Sequence, residues 1–241
     1  MEKIIYLLWR DPATPLGTWA AALHGDVGPR LAAAGTGARG VQVNVADEAV
    51  ASSIMRMVEL DPQMEATVSV WVDSARDAAR RPVDVILWAS PGTTRVEAYV
   101  VTESVPLANT TRPASPGERT PGFANLAFLR RPPEMSPAAW IDAWHNDHTD
   151  LAIETQSTFG YVQNVVARPL TPGAPAIDAV VEELFPVEAL TSLHAFFAAA
   201  DDAELAHNMG RMSASIARFG ADRCLDVVPT SQYVVSRLFE S

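Results

Sequence analysis

Leu129-Arg-Arg131-Pro-Pro133, followed by Trp140, Ala143, His145 and Asp147, repeats Leu8-Trp-Arg10-Asp-Pro12, Trp19, Ala22, His24 and Asp26 at a constant offset of 121 positions. Without a gap, Val41, Gln42, Val45 and Ala46 then meet Val162, Gln163, Val166 and Ala167. Such a self-match, over residues 8–46 and 129–167 of 241, indicates two copies of one strand–helix–strand unit. Residues 108–122 between the copies hold Pro113, Pro116, Pro121, Gly117 and Gly122, which rule out both helix interior and central strand. They read as a linker between an N-terminal half, 1–107, and a C-terminal half, 123–241.

The C-terminal half alternates in type. Asn125–Arg130 reads as a strand, and Ser136-Pro137 supplies an N-cap and a first-turn proline for a helix to about Thr155. Strands at Gly160–Val166 and Ile177–Phe185, a helical region near 187–218 and a strand at Gln232–Leu238 complete a β-α-β-β-α-β order, the ferredoxin-like unit. The N-terminal half runs parallel to it: Ile4–Trp9, a helix from Leu16, Gly40–Val45, Thr67–Val72, a helix near 75–88 and Val96–Thr102. Residues 47–60 are an insertion, a short helix at most. The expected class is α+β, with two ferredoxin-like halves packed sheet to sheet as an intramolecular barrel. In Val41-Gln-Val-Asn-Val45 alternation sends the valines to the helix side and Gln42 and Asn44 to the other. By the repeat, Tyr161, Gln163 and Val165 join that second, mixed face, which predicts a lined cavity between the sheets.

Composition narrows the function classes. A formal net charge of −11, with no basic run, disfavours nucleic acid and anionic membrane surfaces. The apolar start Ile4–Trp9 ends at Arg10-Asp11, too short for a signal-peptide core or a membrane span. Cys224 is the single cysteine, which excludes an internal disulfide and fits a reducing cytoplasm; it reads as structural. Gly35-Thr-Gly37-Ala-Arg-Gly40 matches a dinucleotide fingerprint, but a helix precedes it and a strand follows, the reverse of what pyrophosphate binding requires.

Chemistry concentrates in Trp140-Ile-Asp-Ala-Trp144-His145-Asn-Asp147-His148. Helical spacing puts Trp140, Trp144 and His148 on one stripe and His145 beside it, an imidazole held against an aromatic wall. Two histidines three apart also suit a metal, but a third ligand would have to come from Glu182 or Glu183, so no metal is expected. The bland alternative is aromatic core with histidines hydrogen-bonded at its edge. The copies differ informatively: Trp144, His148 and Tyr161 meet Leu23, Val27 and Gly40, so residues peculiar to the second copy are the better candidates for chemistry. Glu182-Glu183 places one carboxylate on each sheet face. Phe196-Phe197 and Met209–Met212 look like core or pocket lining.

Trp140-x3-Trp144-x3-His148-Thr-x-Leu-Ala with Gly160-Tyr-Val-Gln-Asn164, and Ser215-x2-Arg218-Phe219 with Thr230-Ser-x-Tyr233-Val, resemble the EthD family of the dimeric α+β barrel superfamily. The likeness is good over 123–241 and degraded over 1–107. It implies a tandem barrel with a hydrophobic pocket between sheet and first helix. Members are associated with ether degradation or with decarboxylation or dehydration of aromatic polyketides; related barrels include cofactor-free oxygenases, cyclases and haem proteins. Family membership alone does not settle a reaction. The expected function is a cofactor-independent enzyme doing acid/base chemistry (decarboxylation, dehydration, cyclisation or isomerisation) on a hydrophobic aromatic or polyketide-like molecule. The expected catalytic groups are His148, His145, Tyr161 and Glu182, with Trp144, Gln163, Gln42, Asn44 and Tyr233 binding substrate. Alternatives are a cofactor-free monooxygenase, a non-catalytic carrier of hydrophobic metabolites and, last, a haem protein. Association into a homodimer is left open.

Overall fold

In a computed structural model describing residues 1–222 and 225–238, eight antiparallel strands close into one barrel. They are β1 (Glu2–Arg10), β2 (Ala38–Val45), β3 (Ala66–Val72), β4 (Thr93–Leu107), β5 (Phe123–Leu129), β6 (Gly160–Pro169), β7 (Ala179–Phe185) and β8 (Leu225–Ser236). Cys224 lies outside the described residues. The order round the barrel is β1-β3-β2-β8-β5-β7-β6-β4. Strands of the two halves therefore meet edge to edge, at β2–β8 and β4–β6, rather than as two facing layers. Closure pairs every strand edge, which leaves no open edge for aggregation.

Helices cover the outside. The helical run 16–32 crosses a π turn, Leu23–Val27, and the run 137–155 crosses another, Ala143–His148. Gly25, Gly28 and Pro29 suggest a broken helix in sequence, yet the chain continues through them. Gly28 is needed there because a Cβ would meet Val235 at 2.9 Å. Helices Asp77–Trp88 and Asp202–Phe219 complete the outer layer. Ser136 caps its helix as expected, its hydroxyl accepting from the Ala139 N–H at 3.2 Å. No helix among the described residues is long and apolar enough to cross a membrane.

Three apolar clusters result. One lies between β1–β4 and their helices around Trp19 and Tyr6, and one between β5–β8 and theirs around Trp140 and Trp144. The third fills one end of the barrel bore with Ile5, Leu7, Trp9, Leu126, Phe128 and Val228. The bore's other end is polar. Lys3 pairs with Glu182 at 2.8 Å and Glu103 at 2.5 Å; Gln42 donates to Glu182 and Asn44, and Asn164 donates to Glu182. Asn44 donates to Thr230 at 3.1 Å. Gln42, Asn44 and Glu182 thus join the two halves inside the barrel.

The gapless register misplaces one strand. Val41, Val43 and Val45 do face the helices. However, Tyr161 and Val165 also pack against helices in the C-terminal cluster, and Gln163 donates to Thr149 of the 137–155 run at 2.7 Å. Cross-strand pairing explains the disagreement. Val41 lies opposite Val70, itself opposite Ile4; Tyr161 lies opposite Glu183, itself opposite Asn125. Val41 therefore corresponds to Tyr161, not to Val162. The C-terminal half has one residue fewer between helix and strand, and a one-residue slip exchanges the faces of every side chain. The Val-Gln identities that made the repeat visible face opposite ways.

Candidate functional site

A cavity of about 200 Å³ lies between the β5–β8 sheet and its helices. Its floor is a polar row across three neighbouring strands: Asn125 on β5, Glu183 on β7 and Tyr161 on β6. Trp144 and His148 from the π turn face it, and Phe196, Phe197 and Phe219 supply aromatic walls. A wider turn re-aims its side chains relative to a regular α-helix, which is why such turns recur at binding sites. Here Thr149 secures it, its hydroxyl donating to the Trp144 carbonyl at 2.9 Å, alongside its own backbone N–H.

At the corresponding positions the N-terminal half is filled. At the positions of Asn125, Ala127, His148 and Glu183 it carries Ile4, Tyr6, Val27 and Val70, all buried in its core. The Tyr6 ring occupies what Ala127 leaves open. Its hydroxyl donates to buried Asp84 at 2.8 Å, which pairs with Arg80 at 2.8 Å. Exchanging a tyrosine for an alanine opens the cavity, and exchanging two aliphatic residues for Asn and Glu makes its floor polar.

The site's charges are set by burial. Glu183 has no ion-pair partner among the described residues, and burial pushes its carboxyl up to about 7. His148 is lowered to about 4, first by burial and then by the Arg218 guanidinium, so its ring is neutral at pH 7. Its Nδ1 is 3.0 Å from the Ser215 hydroxyl, which leaves Nε2 as the free ring nitrogen, and the ring packs 4.9 Å from Phe219. Tyr161 is held neutral, chiefly by burial and then by nearby Glu183; its hydroxyl accepts from Trp144 Nε1 at 3.4 Å. The Asn125 Oδ1 is buried with no hydrogen-bond partner among the described residues. The cavity thus offers one titratable carboxyl, one neutral imidazole and one unused acceptor on an apolar background.

Of the residues singled out in sequence, the cavity brings together Trp144, His148 and Tyr161. His145 sits edge-on to Trp144 at 4.5 Å, its Nε2 buried without a partner, and does not line the cavity. Gln163 is held behind the floor between Thr149 and Ser104. Tyr233 stacks on His24 at 4.1 Å, on the helix side of the N-terminal half. Glu182 points into the bore. Burial by itself would raise its carboxyl, but Lys3, Gln42 and Asn164 hold it below the usual range, so it is a spent charge rather than a base. With Gln42 it lines a second cavity of about 390 Å³ at the barrel mouth, roofed by Leu107, Pro113 and Ala114. Sequence alone does not single out Asn125 and Ala127, whose significance lies in comparison with Ile4 and Tyr6; it marks Glu182-Glu183 as a pair, but strand alternation does not say which of two adjacent glutamates faces the helices. No group of three or more His, Cys, Asp or Glu residues that could hold a metal ion occurs among the described residues.

Known proteins resemble this chain in fold. The barrel resembles an anthrone oxidase-like protein at 12% identity and a TM-score of 0.58, covering 99% of this chain and 94% of that one. It also resembles a candidate monooxygenase from Fusobacterium nucleatum subsp. nucleatum at 8% identity and a TM-score of 0.50, covering 98% and 92%. At such identities the likeness is one of fold. No curated protein matches in sequence. The EthD domain family model matches residues 132–217, the segment that supplies Trp144, His148, Tyr161 and Glu183.

Proposed function

We propose that the C-terminal cavity is the active site of a cofactor-independent enzyme performing proton-transfer chemistry on a neutral, hydrophobic aromatic or polyketide-like molecule. The observation that carries this reading is Glu183, a carboxyl without an ion partner, shifted to about 7 beneath aromatic walls. A general acid or base is most effective when its pKa lies near the working pH, and burial is how a glutamate reaches that value. The proton-transfer role expected of His148 passes to Glu183, since an imidazole lowered to about 4 is a weak base. His148 Nε2, Tyr161 and Asn125 then orient the substrate. In a dehydration, for example, the Glu183 carboxylate takes a proton from the carbon next to a carbinol; the C–O bond breaks, and the hydroxide leaves as water once Glu183 returns that proton.

The strand order β4-β1-β3-β2 followed by β8-β5-β7-β6 supports reading the halves as two ferredoxin-like copies. The test is turnover of a panel of aromatic β-hydroxy ketones and β-keto acids, followed by chromatography and mass spectrometry with and without oxygen. Turnover without oxygen that is lost in Glu183→Gln and weakened in His148→Ala supports the proposal. Turnover that requires and consumes oxygen turns the assignment to the monooxygenase reading. Binding without turnover makes the protein a carrier.

A further inference from the structure

The C-terminal cavity is not closed by the C-terminal half alone. Leaving β2, the chain makes a 3-10 turn at Glu48–Val50 and then crosses to the helix side of the other half. Val50 is buried in the C-terminal cluster, and the Ile54 N–H donates to the Leu190 carbonyl at 3.0 Å. Met57 exchanges both backbone hydrogen bonds with Val227, at 3.1 and 3.0 Å. The Glu59 and Leu60 N–H groups then donate to the Asp226 carboxylate at 2.8 and 2.9 Å, and Arg130 holds Asp226 from the other side at 2.6 Å. Met55 and Met57 line the cavity. The insertion is therefore a short 3-10 helix followed by an irregular cover, hydrogen-bonded to the C-terminal half at Leu190, Asp226 and Val227.

Two physical facts single out this wall. First, about 200 Å³ is smaller than the roughly 300–1,000 Å³ of ordinary small-molecule pockets, so ligand size is limiting. Secondly, the floor and inner walls come from paired strands and packed aromatic rings, whereas Met55 and Met57 are flexible, unbranched thioethers on a loop. The loop's tip is open to solvent: Ile54 is 48%, Met57 42% and Val58 57% exposed. A larger ligand can gain room there at least cost.

We infer that residues 51–60 of the N-terminal half are the specificity-determining cover of the C-terminal site, with Met55 and Met57 setting how many fused aromatic rings it admits. This rests on the cavity being the ligand site. The degenerate half thereby has a role that its own filled core does not give it.

The experiment measures dissociation constants of 2-naphthol and 2-anthracenol by quenching of tryptophan fluorescence, on the full chain. Variants are Met57→Ala, Met55→Ala and Ala127→Tyr, the last restoring the ring that fills the other half, and circular dichroism verifies that each is folded. Removing a methionine end should shift the naphthol-to-anthracenol preference towards three rings on the order of tenfold, the lower end of the scale for a single methylene in an apolar pocket. Ala127→Tyr should abolish binding of both. If Ala127→Tyr abolishes binding while both methionine variants keep the ratio within about twofold of the parent, the cover proposal is overturned and the site stands. Probe binding that survives Ala127→Tyr overturns both.

Discussion

Replacing Glu183 with glutamine should change how stability depends on pH, in a way that exposes a hidden cancellation. Glu183 is raised from 4.5 to about 7 on folding, so between those values the native state holds a proton that the unfolded chain has lost. Stability from this group is greatest below pH 4.5 and falls as pH rises to 7. At roughly 1.4 kcal/mol per pH unit the loss is at most about 3 kcal/mol. His148 acts in the opposite sense. Lowered from 6.5 to about 4, it is neutral when folded while the unfolded chain takes up a proton, so its contribution is present above 6.5 and is lost as pH falls towards 4. Its size is similar, about 3 kcal/mol. Between pH 4.5 and 6.5 the two slopes oppose each other, and the wild-type profile from this pair is nearly flat. Glu183→Gln leaves the histidine slope alone, with stability rising from pH 4 to 6.5. His148→Gln leaves the carboxyl slope, with stability falling from 4.5 to 7. Urea unfolding at half-unit steps of pH, plotted as variant minus wild type, isolates each term from the protein's other acids. A flat Glu183→Gln difference curve, or one confined to pH near 4, would refute a buried carboxyl poised near neutrality.

The remaining predictions concern the scaffold. Lys3→Met should cost about 3–5 kcal/mol in urea unfolding by leaving Glu182 unpaired in the bore, and Lys3→Met with Glu182→Met should recover most of it, both without affecting probe binding in the cavity. A large change in probe affinity would contradict the separation of the two glutamates. Gly122 has φ +100° and would place a Cβ 2.1 Å from the Phe185 carbonyl oxygen, so Gly122→Ala should destabilise by more than about 2 kcal/mol. An unchanged melting temperature would show that the chain can relax where the linker enters β5.

The helix of 137–155 shows what local sequence can carry. Ser136-Pro137 marks its start, and the Trp140, Trp144, His148 stripe marks its inner face, because capping and helical periodicity depend on residues a few positions apart. The insertion at 47–60 shows the converse. Nothing in its own residues says that its backbone hydrogen bonds lie with Asp226, Val227 and Leu190, far along the chain.

The amino-acid sequence by itself carried the α+β class and the grouping of Trp144, His148 and Tyr161, which the fold brings to one cavity. Each is a matter of identity or period along one chain. Only the tertiary structure decided that the halves close edge to edge, that Glu183 and not Glu182 meets the cavity, and that Met55 and Met57 reach over it. The physical reason is strand register: shortening a loop by one residue leaves every local pattern intact yet turns each side chain of the following strand to the opposite face. Register is fixed by pairing between distant strands, at Val41 with Val70 and Tyr161 with Glu183.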